Sequence, residues 1–156
     1  MKFTAGQLRR GMAWWPPFLG AGIRVRSLAD DFRDAVVELR FGRLNRNYVG
    51  THFGGSLYAM TDPFFAIMLM HNLGDRYLVW DKSGTIDYVA PGRGTVHAHF
   101  VLSEARIAEI RAQAEGGEKV LPEFQVEVRH VGDGSLVALV RKTLYVRLKP
   151  RHREAA

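Results

Sequence analysis

Asn47-Tyr48-Val49-Gly50-Thr51-His52-Phe53-Gly54-Gly55-Ser56-Leu57-Tyr58-Ala59-Met60-Thr61-Asp62 joins two unlike signals, a pair of adjacent glycines and, seven residues after the second, a carboxylate inside an apolar run. From Gly54 to Asn72 the sequence is apolar around almost its whole circumference, with Leu57, Tyr58, Met60, Phe64, Phe65, Ile67, Met68 and Leu69. A helix without a polar face is a buried one. Gly74 just beyond is suited to cap it, because glycine enters the left-handed conformation that ends helices. The stretch therefore predicts one long central helix, entered through glycines and carrying an acid.

The flanks on either side read as strands. Ahead of it, Ile23, Val25 and Leu28 alternate with Arg24 and Arg26, and after an Ala29-Asp30-Asp31 turn a second strand spans 35–41. Behind it, 77–90 and 95–102 are rich in β-branched and aromatic residues and are separated by Pro91-Gly92-Arg93-Gly94. Ser103 caps a short helix with Ile107, Ile110 and Ala114 on one stripe, stopped at Gly116-Gly117. The runs 123–131 and 136–148 flank Gly132-Asp133-Gly134-Ser135, a hairpin signal because Asp-Gly readily supplies positive φ. Residues 4–14 predict a helix opened by Thr4 and closed by Pro16-Pro17, within an arm of about residues 1–20. The sum is an α+β architecture in which an antiparallel sheet of about six strands wraps around a long helix. No repeat or linker divides the chain, so 1–156 reads as one domain ending in a basic tail at about 149–156.

Composition narrows the chemistry. There is no cysteine, which excludes a thiol nucleophile, a cysteine zinc site and disulfides. The net charge of +6 suits phosphorylated ligands as well as nucleic acid. No helix-turn-helix, zinc or aromatic RNA-binding pattern accompanies it, so no nucleic-acid partner is expected. Arg9 and Arg10 precede a Trp14-Trp15-Pro16-Pro17 break instead of a secretory apolar core, and Phe64 to Met70 is too short to span a bilayer. The expectation is a soluble cytoplasmic protein without a membrane partner.

The glycine pair and the acid suggest a site. Glycines at a helix start let a ligand approach the backbone, and the free N–H groups there attract an oxygen carrying negative charge. Asp62, among Met60, Phe64 and Phe65, would be desolvated, which strengthens it as a base or nucleophile. Pro63 inside the helix would leave the Ala59 carbonyl without its donor. An alternative makes Asp62 the N-cap and Pro63 the first residue of a helix. The two alternatives differ in where the helix begins, at Gly54 or at Asp62.

Asn47, Gly50, Gly54, Gly55 and Asp62 fall in register with the signature of hotdog-fold acyl-CoA thioesterases of the phenylacetyl-CoA type, which the segment resembles. Phe53 stands where that family carries histidine, with His52 one position earlier. The run 50–58, Thr61-Asp62-Pro63-Phe64 and Lys142-Thr143-Leu144-Tyr145-Val146 more closely resemble a hotdog subfamily whose members are labelled tetrameric acyl-CoA thioesterases. The similarity extends from about Ile23 to Leu148. It implies hydrolysis of an acyl-CoA to free acid and CoA, with coenzyme A as part of the substrate and no separate cofactor. Asp62 would act as base or nucleophile, Gly55 as oxyanion donor and Asn47 as the group positioning water or carbonyl. The acid and the glycine turn would come from different subunits, so a homodimer or homotetramer is implied.

Among the remaining polar residues, His52, Phe53, Gly54, Ser56, Tyr58 and Arg93 are substrate-contact candidates, and Arg141-Lys142 is a further phosphate-contact candidate. Loop bonding by His52, capping by Ser56 and back-bonding by Thr61 are the structural alternatives. Tyr58, Phe64, Phe65 and Trp80 are candidates to line an acyl pocket or to be core. His97 and His99 share a strand face, but two ligands do not make a metal site, and none is expected. Two other functions compete with hydrolysis: hydration or dehydration of an acyl thioester, and acyl-CoA binding without catalysis.

Overall fold

A computed structural model gives the structure of residues 3–150, so most of the predicted basic tail lies outside the described residues. The helical arm forms at Ala5–Trp14 (α1), where Thr4 and Gln7 cap each other reciprocally. The prolines that end it also begin a second helix, Pro16–Ala21 (α2), since the first turn needs no proline N–H.

Six strands build one antiparallel sheet: Ile23–Leu28 (β1), Asp34–Leu39 (β2), Tyr77–Tyr88 (β3), Val96–Val101 (β4), Glu123–His130 (β5) and Leu136–Leu148 (β6). Their order is β1-β2-β4-β5-β6-β3. The strands on either side of Pro91-Gly92-Arg93-Gly94 are therefore not neighbours; β4 pairs with β2 and β5, while β3 pairs with β6. The 132–135 hairpin forms as expected, with Gly134 at φ +70° and Asp133 accepting from the Ser135 N–H. Ser103 caps the helix Glu104–Ala114 (α5) through the Arg106 N–H.

The central helix is not continuous. It runs as Gly54–Ala59 (α3), turns through residues 60–63, and resumes as Phe64–Leu73 (α4). Pro63 cannot donate, but the Ala59 carbonyl is not orphaned: the Asp62 N–H reaches it at 3.3 Å. Helix thus begins at Gly54, as the first alternative has it, and begins again only at Phe64, two residues past Asp62. Pro63, not Asp62, takes the N-cap position of α4.

α4 supplies the core. Phe64 and Phe65 lie 4.9 and 5.2 Å from the Phe100 ring of β4, and Phe65 stacks on Phe124 at the start of β5. Ala35, Val37 and Leu39 of β2 pair in register with Phe100, Ala98 and Val96, all fully buried beneath this helix. Each such aromatic or branched side chain contributes about 1.5–3 kcal/mol of burial.

α3 takes a different course along β3. A side chain at Gly54 would meet Tyr88, and the Tyr58 hydroxyl lies over Gly84. Asp62 shares a partner with Asp81. Residues 54, 58 and 62 thus match 88, 84 and 81, so the segment runs antiparallel to the strand. The far edge of β3 has no strand partner among the described residues.

Candidate active site

Asp62 is at the acid end of α3. Its Oδ1 accepts from Lys142 Nζ at 2.7 Å, and Asp81 Oδ1 lies 2.9 Å from the same ammonium. The Lys142 side chain is 1% exposed, against 47% for Asp62 and 34% for Asp81. The desolvated acid expected at this position is thus a half-exposed carboxylate held from within by a buried cation. Burial works against the Lys142 charge, yet its hydrogen bonds to Asp62 and Asp81 outweigh that and raise its pKa above the ordinary lysine value. Lys142 is not available as the surface phosphate contact expected of it, and its neighbour Arg141 is paired with Asp87 on the other face.

The local sequence explains the arrangement. Val140, Lys142, Leu144, Val146 and Leu148 alternate onto the buried face of β6, placing a cation in an apolar row. On β3 a bulge between Asp81 and Ser83 shifts the register, so that Asp81 faces Leu144 while Gly84 faces Lys142. Gly84 is required there, because a side chain would meet the Tyr58 hydroxyl and the Lys142 stem. Lys142 Nζ in turn lies 5.3 Å from the Tyr58 ring centre.

The glycine end is a separate place. Phe53 precedes α3 as an uncapped N-cap whose carbonyl accepts from Ser56 and Leu57. Ser56 is buried inside the helix and does not cap it. The Gly54 and Gly55 N–H groups have no acceptor among the described residues. Beside them a cavity of about 480 Å³ is lined by Asn47, His52, Gly54, Leu57, Tyr88 and Arg93, among others. The Phe53 ring folds over Gly55, so close packing alone already calls for glycine here.

Asn47 is committed to its own loop. Its Oδ1 accepts from Val49 and Thr51, and its Nδ2 donates to the Thr51 hydroxyl and the His52 carbonyl. It braces the turn into α3 and, so engaged, has no donor to spare for a substrate. His52 is 2% exposed and donates from Nε2 to the Gly94 carbonyl at 2.8 Å. Its Nδ1 is buried without a partner. Burial pushes this imidazole below the usual histidine pKa, against the Gly94 hydrogen bond. Thr61 back-bonds to Tyr58. His99 pairs with Asp34 on the outer face of the sheet.

The four aromatic candidates do not form one pocket. Phe64 and Phe65 are core, Trp80 stacks on Tyr145 on the opposite face, and Tyr58 covers Gly84. The sequence expectations omitted Asp81 and the buried role of Lys142. Both carry a legible signal, a charge in phase with apolar neighbours: Tyr77, Val79 and Asp81 on one strand, and Val140, Lys142 and Leu144 on the other.

The profile of the family described as Domain of unknown function (DUF4442) matches residues 5–146. The chain belongs to this family. Solved structures resemble this DUF4442 member over nearly their whole lengths. A Pseudomonas aeruginosa protein of unknown function, described as a probable thioesterase, has 17% identity and a TM-score of 0.84 over 96% of this chain and 99% of its own. A Haemophilus influenzae thioesterase has 15% identity and a TM-score of 0.67 over 95% and 93%. Thioesterase superfamily member 2 from Mus musculus has 19% identity and a TM-score of 0.63 over 93% and 98%. No curated protein matches the sequence. At these identities the likeness shows the fold, which is the hotdog arrangement of sheet around helix.

Proposed function

We propose that this DUF4442 protein is an acyl-CoA thioesterase that works as a homo-oligomer, with Asp62 as the reacting acid and the Gly54-Gly55 N–H groups as the oxyanion site. The observation that carries the proposal is the antiparallel course of α3 along β3, whose outer edge has no strand partner among the described residues. Within one chain the eight residue steps from Gly54 to Asp62, a short helix and the turn after it, span on the order of 12 Å, too far for one thioester carbonyl to touch both ends. Pairing two β3 edges antiparallel about a two-fold axis near Gly84 lays Asp81 of one copy by Tyr88 of the other. Asp62 of one copy then comes alongside Gly54-Gly55 of the other, and the site is complete. The exposed Phe53, Tyr88 and Val89 near this edge support such a contact.

Chemically, Asp62 takes a proton from water as the water oxygen attacks the thioester carbonyl carbon, or it attacks that carbon directly and water then hydrolyses the resulting anhydride. In either route the carbonyl oxygen gains negative charge against the Gly55 N–H. The C–S bond breaks, the thiolate takes up a proton as CoA leaves, and the free acid remains. Arg93 at the cavity mouth is suited to a CoA phosphate.

The test is CoA release from short, medium, long and aryl acyl-CoAs, with an enoyl thioester included to detect hydration. Hydrolysis of at least one member is expected, with Asp62→Asn lowering kcat by roughly 100-fold or more at an unchanged oligomeric state. A folded oligomer that releases no CoA from any of them overturns the proposal. Binding without turnover, or hydration, would select one of the two competing functions.

A further inference from the structure

We propose that Lys142 is the positioning residue of this site: its buried ammonium holds Asp62 by one oxygen from beneath, and Asp81 is the second anion that keeps the ammonium there. The proposal rests on Asp62 being the reacting acid, but its structural half stands apart from any activity.

Three observations carry it. Asp62 sits in the turn at residues 60–63, outside both helices, so no regular element fixes its side chain. What reaches it comes from the sheet: Lys142 Nζ at 2.7 Å from Oδ1, which leaves Oδ2 for a water or a thioester carbon. Secondly, the surroundings are shaped for this lysine. Gly84 opposite it leaves room for its stem and for Tyr58, and the bulge after Asp81 turns the second carboxylate onto the same ammonium at 2.9 Å.

The third observation is the exposure gradient, with the cation wholly inside and both carboxylates partly outside. As a source of stability this is a poor use of a core position, because replacing all members of a buried ionic cluster together by well-packed apolar residues is often neutral or stabilising. As a mount it is effective. An ammonium on the sheet has three donors and little freedom, and two carboxylates sharing it are fixed with respect to each other and to the strand edge. One of the two, Asp81, carries no other assignment, and its removal leaves Lys142 entirely to Asp62.

The experiment compares Lys142→Met, Lys142→Arg and Asp81→Asn with the unaltered oligomer, measuring kcat and KM on the best thioester, melting temperature, and a crystal structure of Lys142→Met. The expected result is a fall in kcat on the order of 100-fold in Lys142→Met, the scale of a misplaced reacting group, with KM within a few-fold. Lys142→Arg restores part of kcat, and Asp81→Asn keeps most of it while lowering the melting temperature. In the crystal the Asp62 carboxylate leaves its place.

Full kcat in folded Lys142→Met, or an Asp62 carboxylate that stays put without Lys142, overturns the proposal. Should Lys142→Met not fold, Lys142→Gln keeps an N–H donor and carries the same expectation and the same overturning result. If the unaltered protein hydrolyses no thioester, the functional proposal fails by itself. The displacement of Asp62 in the crystal then decides the positioning claim.

Discussion

Arg141 and Lys142 are neighbours on β6, each paired with aspartate, and they live in opposite electrostatic worlds. Arg141 points out of the sheet and meets Asp87 with both side chains more than half exposed. Lys142 points in, is 1% exposed, and meets two carboxylates that only partly reach solvent. Water screens the first pair and the desolvated lysine makes the second an obligation. One step along a strand thus separates a pair worth little from a cluster that organises the candidate site.

The sharpest way to break this contrast is to strip the buried cation of its partners. Asp62→Asn with Asp81→Asn leaves an ammonium in the apolar row of β6 without an anion, which is expected to cost about 3–5 kcal/mol in urea denaturation. A loss no larger than that of an exposed pair would mean that water reaches Lys142. The reverse cut should be milder. Lys142→Met leaves carboxylates that solvent can rehydrate, and the expected loss is about 1–3 kcal/mol by the same measurement.

The Lys142 contribution also has a pH signature. Because its pKa is raised on folding, the cluster's stabilisation is fully present below the ordinary lysine value and is lost only as pH rises through the higher folded one. Alkaline unfolding of the unaltered protein should therefore include a step that Lys142→Met lacks.

The same contrast shows what the sequence made legible. The apolar alternation at 23–28, 35–41 and 136–148, the Thr4 and Ser103 caps and the Asp133-Gly134 turn are local signals, and local physics decides them. The fate of Arg141-Lys142 is not local: parity says which of the two points inward, but only packing brings Asp62 and Asp81 to it. The bulge at Asp81 shifts the strand register by one step and the turn at residues 60–63 divides the helix, and periodicity resolves neither. Asn47 and Gly55 could be found by motif, yet whether an amide is free or spent on its own loop is a question of hydrogen-bond partners.

His52 extends the comparison to a buried group with one partner instead of two. Its pKa is lowered on folding, so its contribution is present above the unfolded value near 6.5 and is lost as pH falls below it, where the unfolded chain takes up a proton that the folded chain refuses. Between pH 7 and 5 the unaltered protein should lose more stability than His52→Gln, by at most about 1.4 kcal/mol for each pH unit. Equal slopes in urea midpoints would show that the imidazole charges freely in the folded state.

The smallest effect belongs to Arg141. Its Nη1 donates to Asp87 Oδ2 in solvent, where screening and the entropy of holding two side chains leave at most about 1 kcal/mol. A double-mutant cycle of Arg141→Ala and Asp87→Ala should return a coupling near that ceiling at low salt and less at high salt. The coupling between Lys142 and Asp62, measured alike, should barely respond to salt, because no counter-ion reaches a 1% exposed ammonium. A matching salt dependence for both pairs would erase the distinction between the two faces of β6, and with it the reason for treating Lys142 as a mount for the acid.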